Sequence, residues 1–232
     1  MPPRKSVTFR RSDYSFNDIE PYIKEFAEHF KTPRNYFRPF CLLLGRSRNW
    51  DVDNIVQNID RWSENFLRMG GSSHKLVDIV RRAFTACKNQ DDIKHLRGGI
   101  LEALIIAKHG GPSVLDKNNC GWGAIVSIDG RPITYTCPKI NLPKCDHRST
   151  VDFGIWNGYH GQFYECKVSP FGISCKEVQY MKTLSNELSR EDISFELFFA
   201  FAESQQSIEI REYQDEIEAL RIKIFGVEGL SA

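Results

Sequence analysis

The chain has 232 residues, 41% hydrophobic and 26% charged, with a formal net charge of +1 at pH 7. That balance supports a sizeable core and excludes a mainly disordered chain, and no fixed-period repeat or low-complexity tract interrupts it. Apolar runs such as Phe198 to Ala202 and Ala103 to Ala107 fall far short of the roughly 20 residues of a bilayer span. The basic segment Met1 to Arg10 has no apolar stretch after it, so neither a membrane segment nor a secretory signal is expected, and the expected location is cytoplasmic. Seven scattered cysteines, an odd number, suit free thiols in such a compartment better than bridges. The near-zero net charge hides an asymmetry: residues 1–95 carry +5, residues 96–190 carry +3, and residues 191–232 carry −7. A basic body of this kind can hold a polyanion on one face, although solvated surface charge accounts for it equally well.

The first part of the chain reads as helices. Asn17 is placed to cap a helix through Phe30, with Ile19, Ile23, Phe26 and Phe30 at helical spacing and Pro21 in its first turn. Asp51 opens a second helix, striped by Val52, Ile55, Val56, Ile59, Trp62 and Phe66 and stopped at Gly70-Gly71. Ser73 caps a third, to about Lys88, with Leu76, Ile79, Val80 and Phe84 on one face. A fourth runs from Asp91 to Lys108 and stops at Gly110-Gly111. It contains Gly98-Gly99, which cost about 1 kcal/mol each against alanine, so either a backbone packs closely there or the helix starts after them. Helix packing explains these stripes without any cofactor pocket.

From Gly121 the pattern turns to strands. Ala124 to Ile128 and Ile133 to Cys137 flank Asp129-Gly130, a good turn pair, with Arg131 and Pro132 lengthening the connection. After a loop rich in proline and lysine, Thr150 to Trp156 and Gln162 to Val168 form a second hairpin around residues 157–161. Ser174 caps a helix to about Leu188, Ser194 to Ala202 reads as a buried strand, and Glu209 to Phe225 reads as helical. The fold class is therefore α/β: a helical domain over residues 1–90, then residues 91–232 with a mixed sheet and helices packed on it.

Strand alternation puts Phe163, Glu165 and Lys167 on one face, and the hairpin brings Asp152, set between Val151 and Phe153, alongside Glu165. Two carboxylates so placed repel unless a cation lies between them, and hard oxygen ligands suit Mg²⁺ or Mn²⁺. Asp152, then Glu165-Cys166-Lys167 thirteen residues on, with Glu102 on a preceding helix, resembles the PD-(D/E)XK nuclease superfamily. Val151 stands where the motif's name has proline. The resemblance covers roughly half of the chain. It implies a restriction-endonuclease-like core of helix, three antiparallel strands, helix and strand, an order that residues 91–202 reproduce. It further implies Asp152, Glu165 and the main-chain carbonyl of Cys166 as metal ligands, with Glu102 assisting the site. Lys167 would orient or activate the attacking water. The activity implied is Mg²⁺-dependent phosphodiester hydrolysis, with Mn²⁺ able to substitute, on a DNA substrate in a restriction or defence setting. The alternative is a nuclease-like nucleic-acid-binding or assembly protein without cleavage activity.

Other constellations compete. Cys120, Cys137, Cys145 and His147 form the best zinc set, but only the last two are close in sequence. Cys166 or Cys175 with His160 could in principle make a nucleophile, though a buried thiol attacks poorly. His74, His95 and His109 sit near helix ends or faces and suit solvated or capping roles. No GxxxxGK[ST] segment is present, so no internal NTPase is expected. For nucleic-acid contact the candidates are a leading arm with Arg4, Lys5, Arg10 and Arg11, and the cluster of Arg34, Arg38, Arg46 and Arg48 interleaved with Tyr36, Phe37 and Trp50. Lys176 and Gln179, on the helix after the motif, complete that set. The N-terminal helices are available to a second subunit or a partner protein.

Overall fold

The structure is a computed structural model and describes residues 5–12, 18–68, 73–137, 147–208 and 210–230. In chain order its elements are β1 (Val7–Arg11), α1 (Glu20–Phe30), α2 (Phe37–Arg46), α3 (Ile55–Arg68), α4 (His74–Thr85), α5 (Gln90–Lys108), β2 (Cys120–Ile128), β3 (Arg131–Pro132), β4 (Tyr135–Thr136), β5 (His147–Arg148), β6 (Thr150–Trp156), β7 (His160–Lys167), α6 (Cys175–Arg190), β8 (Ser194–Phe201), α7 (Gln214–Ala219), β9 (Lys223–Phe225) and α8 (Val227–Leu230). Two compact units result. One takes the described residues of 1–13, 115–200 and 209–225, and the other those of 14–114, 201–208 and 226–232. The division differs from a cut at residue 90, because β1 joins the sheet and α5 stays with the helices.

In the helical unit the apolar stripes bury as their period requires: Ile23, Phe26 and Phe30 from α1, Ile59 and Phe66 from α3, Leu76 and Phe84 from α4, and Leu96 and Ile100 from α5. Side-chain caps set two starts, Ser73 Oγ accepting from Leu76 N at 3.2 Å and Asn89 Oδ1 from Asp92 N at 2.9 Å. The Gly98-Gly99 pair lies inside α5, and close packing explains its second member: a Cβ on Gly99 would come within 2.5 Å of Ile23 Cδ1. The predicted cap Asn17 and stop Gly70-Gly71 lie outside the described residues. Helix α2 has no counterpart among the elements that periodicity predicts. It and its flanks bury Tyr36, Phe37, Phe40 and Trp50, so the aromatics between the arginines are core rather than a stacking platform.

The sheet unit holds a mixed seven-stranded sheet in the order β1-β2-β6-β7-β8-β9, with β3 beside β2 and helices flanking it. Antiparallel pairing joins β1 to β2, β2 to β6 and β6 to β7. Asp129 and Gly130 take positive φ, 49° and 78°, which makes a two-residue turn whose twist suits a hairpin. Arg131 and Pro132 then pair directly with Ile128 and Ser127 rather than lengthening the connection. Contacts of His160 with Ser194 and of Gln162 with Glu196 advance together along β7 and β8, as they do between parallel strands, and α6 is the crossover. The segment expected as a final helix instead forms α7 and β9. Arg221, at φ 53°, ends the helix, and Lys223 to Phe225 pair in parallel with β8. No helix among the described residues is long and apolar enough to cross a membrane.

Candidate functional site

Strands β6 and β7 pair from Trp156↔Gly161 to Phe153↔Tyr164. One step further in this register sets Asp152 opposite Glu165, and there the ladder changes. Asp152 Oδ2 accepts the Cys166 N–H at 2.6 Å, so a carboxylate does what a strand carbonyl would do. Glu165 lies on the same face as Asp152 and is 1% exposed. Lys167, two residues on and hence also on that face, donates from Nζ to Glu165 Oε1 at 2.6 Å.

Two residues that sequence reasoning did not assign complete the cluster. Arg148, on β5, donates from Nη2 to Asp152 Oδ1 at 3.0 Å and to Glu165 Oε2, while its Nη1 stands 3.7 Å from Glu177 Oε1. Glu177, at the third position of α6, caps the helix reciprocally with Ser174, whose N–H reaches Glu177 Oε2 at 3.0 Å. Its other oxygen lies 3.4 Å from Lys167 Nζ. Tyr180 OH donates to Ser149 O at 3.3 Å and ties α6 to the start of β6.

Burial pushes the Glu165 carboxyl up, and Arg148 and Lys167 pull against that shift. Burial works against the charge of Lys167 too, but Glu165 and Asp152 outweigh it and hold the ammonium protonated above its ordinary range. Arg148 follows the same pattern, with Glu165, Asp152 and Glu177 outweighing desolvation. For Glu177, burial is overcome by Lys167, Ser174 and Arg148, which hold its carboxyl low. The cluster thus gathers three acids and two cations.

Asp152 and Glu165 thus aim two hard oxygens at one cationic nitrogen, Arg148 Nη2. In donor type the two carboxylates are of the kind that hold a divalent ion, and in this structure they share the guanidinium nitrogen. Among the described residues no three His, Cys, Asp or Glu side chains are gathered as a ligand set, and Arg148 and Lys167 pair with the acids. Cys166 is buried on β7 between Glu165 and Lys167. Glu102 is half-buried on α5 and belongs to the helical unit, so only Asp152, Glu165 and Lys167 of the expected acid-base set share the sheet unit.

Arg10 is exposed and Arg11 half-buried, and both sit on β1, an ordered sheet strand rather than a free arm. The Arg11 guanidinium lies 4.4 Å over the Trp122 ring. Arg4 lies outside the described residues. Arg46 and Arg48 are exposed at the end of α2 and in the turn after it, and Lys176 and Gln179 are half-buried in the first turns of α6. Of the zinc set, Cys145 lies outside the described residues, and His147 Nδ1 faces Thr136 Oγ1 at 3.3 Å across β4 and β5. The His160 ring addresses Ser194 Oγ at 2.9 Å and Glu196 Oε2 at 3.3 Å through its two nitrogens, not a thiol, which removes the basis for a cysteine nucleophile. Burial lowers His109 to about 4, so it is neutral at pH 7.

No protein-family model matches the chain, and no curated protein matches it in sequence. Among solved structures, protein VC1899 from Vibrio cholerae is similar over 98% of this chain and 56% of its own, with a TM-score of 0.47 and 11% identity. The chain therefore spans little more than half the length of that protein.

Proposed function

We propose that the sheet unit carries a metal-dependent nuclease site of the PD-(D/E)XK kind, hydrolysing phosphodiester bonds with Mg²⁺ or Mn²⁺ and with DNA as the expected substrate. The observation that carries this reading is the convergence of Asp152 and Glu165, from neighbouring strands, on a single cationic point with the Lys167 ammonium beside it. The element order supports it: α5, then β2, β6 and β7 antiparallel, then α6 and β8. A restriction or defence role would follow from the resemblance alone, since fold does not fix biology.

In this reading Asp152 and Glu165 hold the ion, which when bound supplies Lewis acidity and an activated water. The Lys167 side chain, protonated and held by Glu165 and Glu177, acts as a hydrogen-bond donor. It positions the attacking water or steadies negative charge developing on the phosphoryl oxygens. Glu177 positions Lys167 while closing the first turn of α6. Asp152, Glu165 and Lys167 lie in the sheet unit, and Glu102, expected to assist, is on α5 in the helical unit.

Plasmid, single-stranded DNA and RNA incubated with Mg²⁺ or Mn²⁺ test the proposal. Wild type should cleave at least one of them, and Asp152→Ala and Lys167→Ala should each lose about 10²-fold or more of that activity. Folded wild type that cleaves none would favour the binding-protein reading, which has its own support: the protein's own cations already pair all three acids.

A further inference from the structure

The guanidinium of Arg148 sits where a shared cation would sit, and among the described residues its hydrogen bonding there is incomplete. One nitrogen serves both Asp152 and Glu165, a second stands 3.7 Å from Glu177, and Nε is buried with no partner among the described residues. A buried donor without a partner is costly, so charge rather than full hydrogen bonding holds the side chain. It is carried on a short strand: β5 pairs with β4 through two residue pairs, whereas Asp152 and Glu165 belong to adjacent strands inside the seven-stranded sheet. Of the groups in the cluster, Arg148 is the one carried on a strand outside the seven-stranded sheet.

Adding a divalent ion beside a retained Arg148 would crowd three cationic centres around three acids within a few ångströms, in surroundings that screen poorly. Exchange avoids that repulsion. We propose that Arg148 is a built-in counter-cation, which neutralises Asp152 and Glu165 in the metal-free protein and must leave them before a divalent ion binds. The inference rests on the nuclease reading and adds to it a regulatory property: metal affinity is set by competition with a residue of the chain itself. Arg148 is here a positioning residue of the resting state, not a catalytic one.

Calorimetric titration of Mn²⁺ at pH 7 into wild type, Arg148→Met and Arg148→Lys tests it. Removing charge-assisted bonds to both acids should tighten Mn²⁺ binding by about tenfold or more in Arg148→Met. Arg148→Lys should fall in between, because an ammonium cannot bridge the two acids as a fork does. Metal-free Arg148→Met should melt below wild type, and saturating Mn²⁺ should raise its melting temperature by more than it raises that of wild type. If Arg148→Met does not fold, Arg148→Lys decides through the same comparison. Unchanged or weaker Mn²⁺ affinity in the folded variants, with wild type binding Mn²⁺ and cleaving, overturns the counter-cation and leaves the nuclease reading standing. No Mn²⁺ binding and no cleavage by any of the folded proteins overturns both.

Discussion

Replacing Arg148 by Met and Glu165 by Gln, singly and together, measures what the buried pair contributes to the sheet unit. Glu165 is 1% exposed and Arg148 14% exposed, so removing one partner strands the other in poorly solvated surroundings. Breaking a buried pair from one side costs about 3–5 kcal/mol. Arg148→Met should fall at the low end, about 3 kcal/mol, because Lys167 remains on Glu165. Glu165→Gln should cost about 4 kcal/mol, since it leaves Arg148 and Lys167 to share Asp152 and Glu177. The double variant strands neither partner, so its loss should stay near the larger single loss, giving a coupling energy of about 2–3 kcal/mol. Two compact units need not unfold together, so native-state hydrogen exchange at the β6 and β7 amides is the appropriate readout. Losses that add to within about 0.5 kcal/mol would show that the two side chains do not interact in the folded protein.

Glu196 on β8 receives Lys223 and Gln162, and chiefly the Lys223 bond holds its carboxyl down at about 2, below its ordinary 4.5. A depressed carboxyl contributes stability above the unfolded value that disappears as pH falls through the folded one. With its side chain 27% exposed, solvent screening reduces the contribution to about 1 kcal/mol. Glu196→Gln should therefore destabilise by that amount at pH 7 and match wild type near pH 2 in unfolding experiments; a difference constant across the range would refute the assignment. Burial pushes the thiols of Cys41, Cys87 and Cys120 up to about 12. Iodoacetamide at pH 8 should therefore spare those three in the folded protein and modify half-buried Cys137 and Cys175 before them, as read by peptide mass spectrometry. Rapid native labelling of Cys120 would contradict its place in β2.

Periodicity exposed the four long helices and the β6–β7 hairpin, and with them the common face of Asp152, Glu165 and Lys167. Elsewhere a signal existed and was outweighed. Val7 and Phe9 alternate with Thr8 and Arg10, as a half-buried strand should, but nearby basic residues suggested an arm. Ser174 and Glu177 form the S-x-x-E spacing of a capping box, which could have marked Glu177 as buried at the helix start. Pro39 obscured α2, although proline is tolerated in a first turn. Arg148 was hidden for a better reason. Its role depends on a two-residue strand after a proline- and lysine-rich loop, and no period can be read from two residues. Asp152, Glu165 and Lys167 could thus be inferred from spacing, whereas the place of Arg148 depends on tertiary structure.

Strand β1 pairs with β2 in a register that joins Val7 to Ile128, and α1 to α5 lie between them in the chain. On the ribosome the early strand must wait until its neighbour has been made, while the five helices between them emerge first. Until β1 docks, the long β2 presents a bare row of amides and carbonyls to any other extended chain. Synthesis therefore passes through an interval in which assembly of this protein competes with strand exchange between copies.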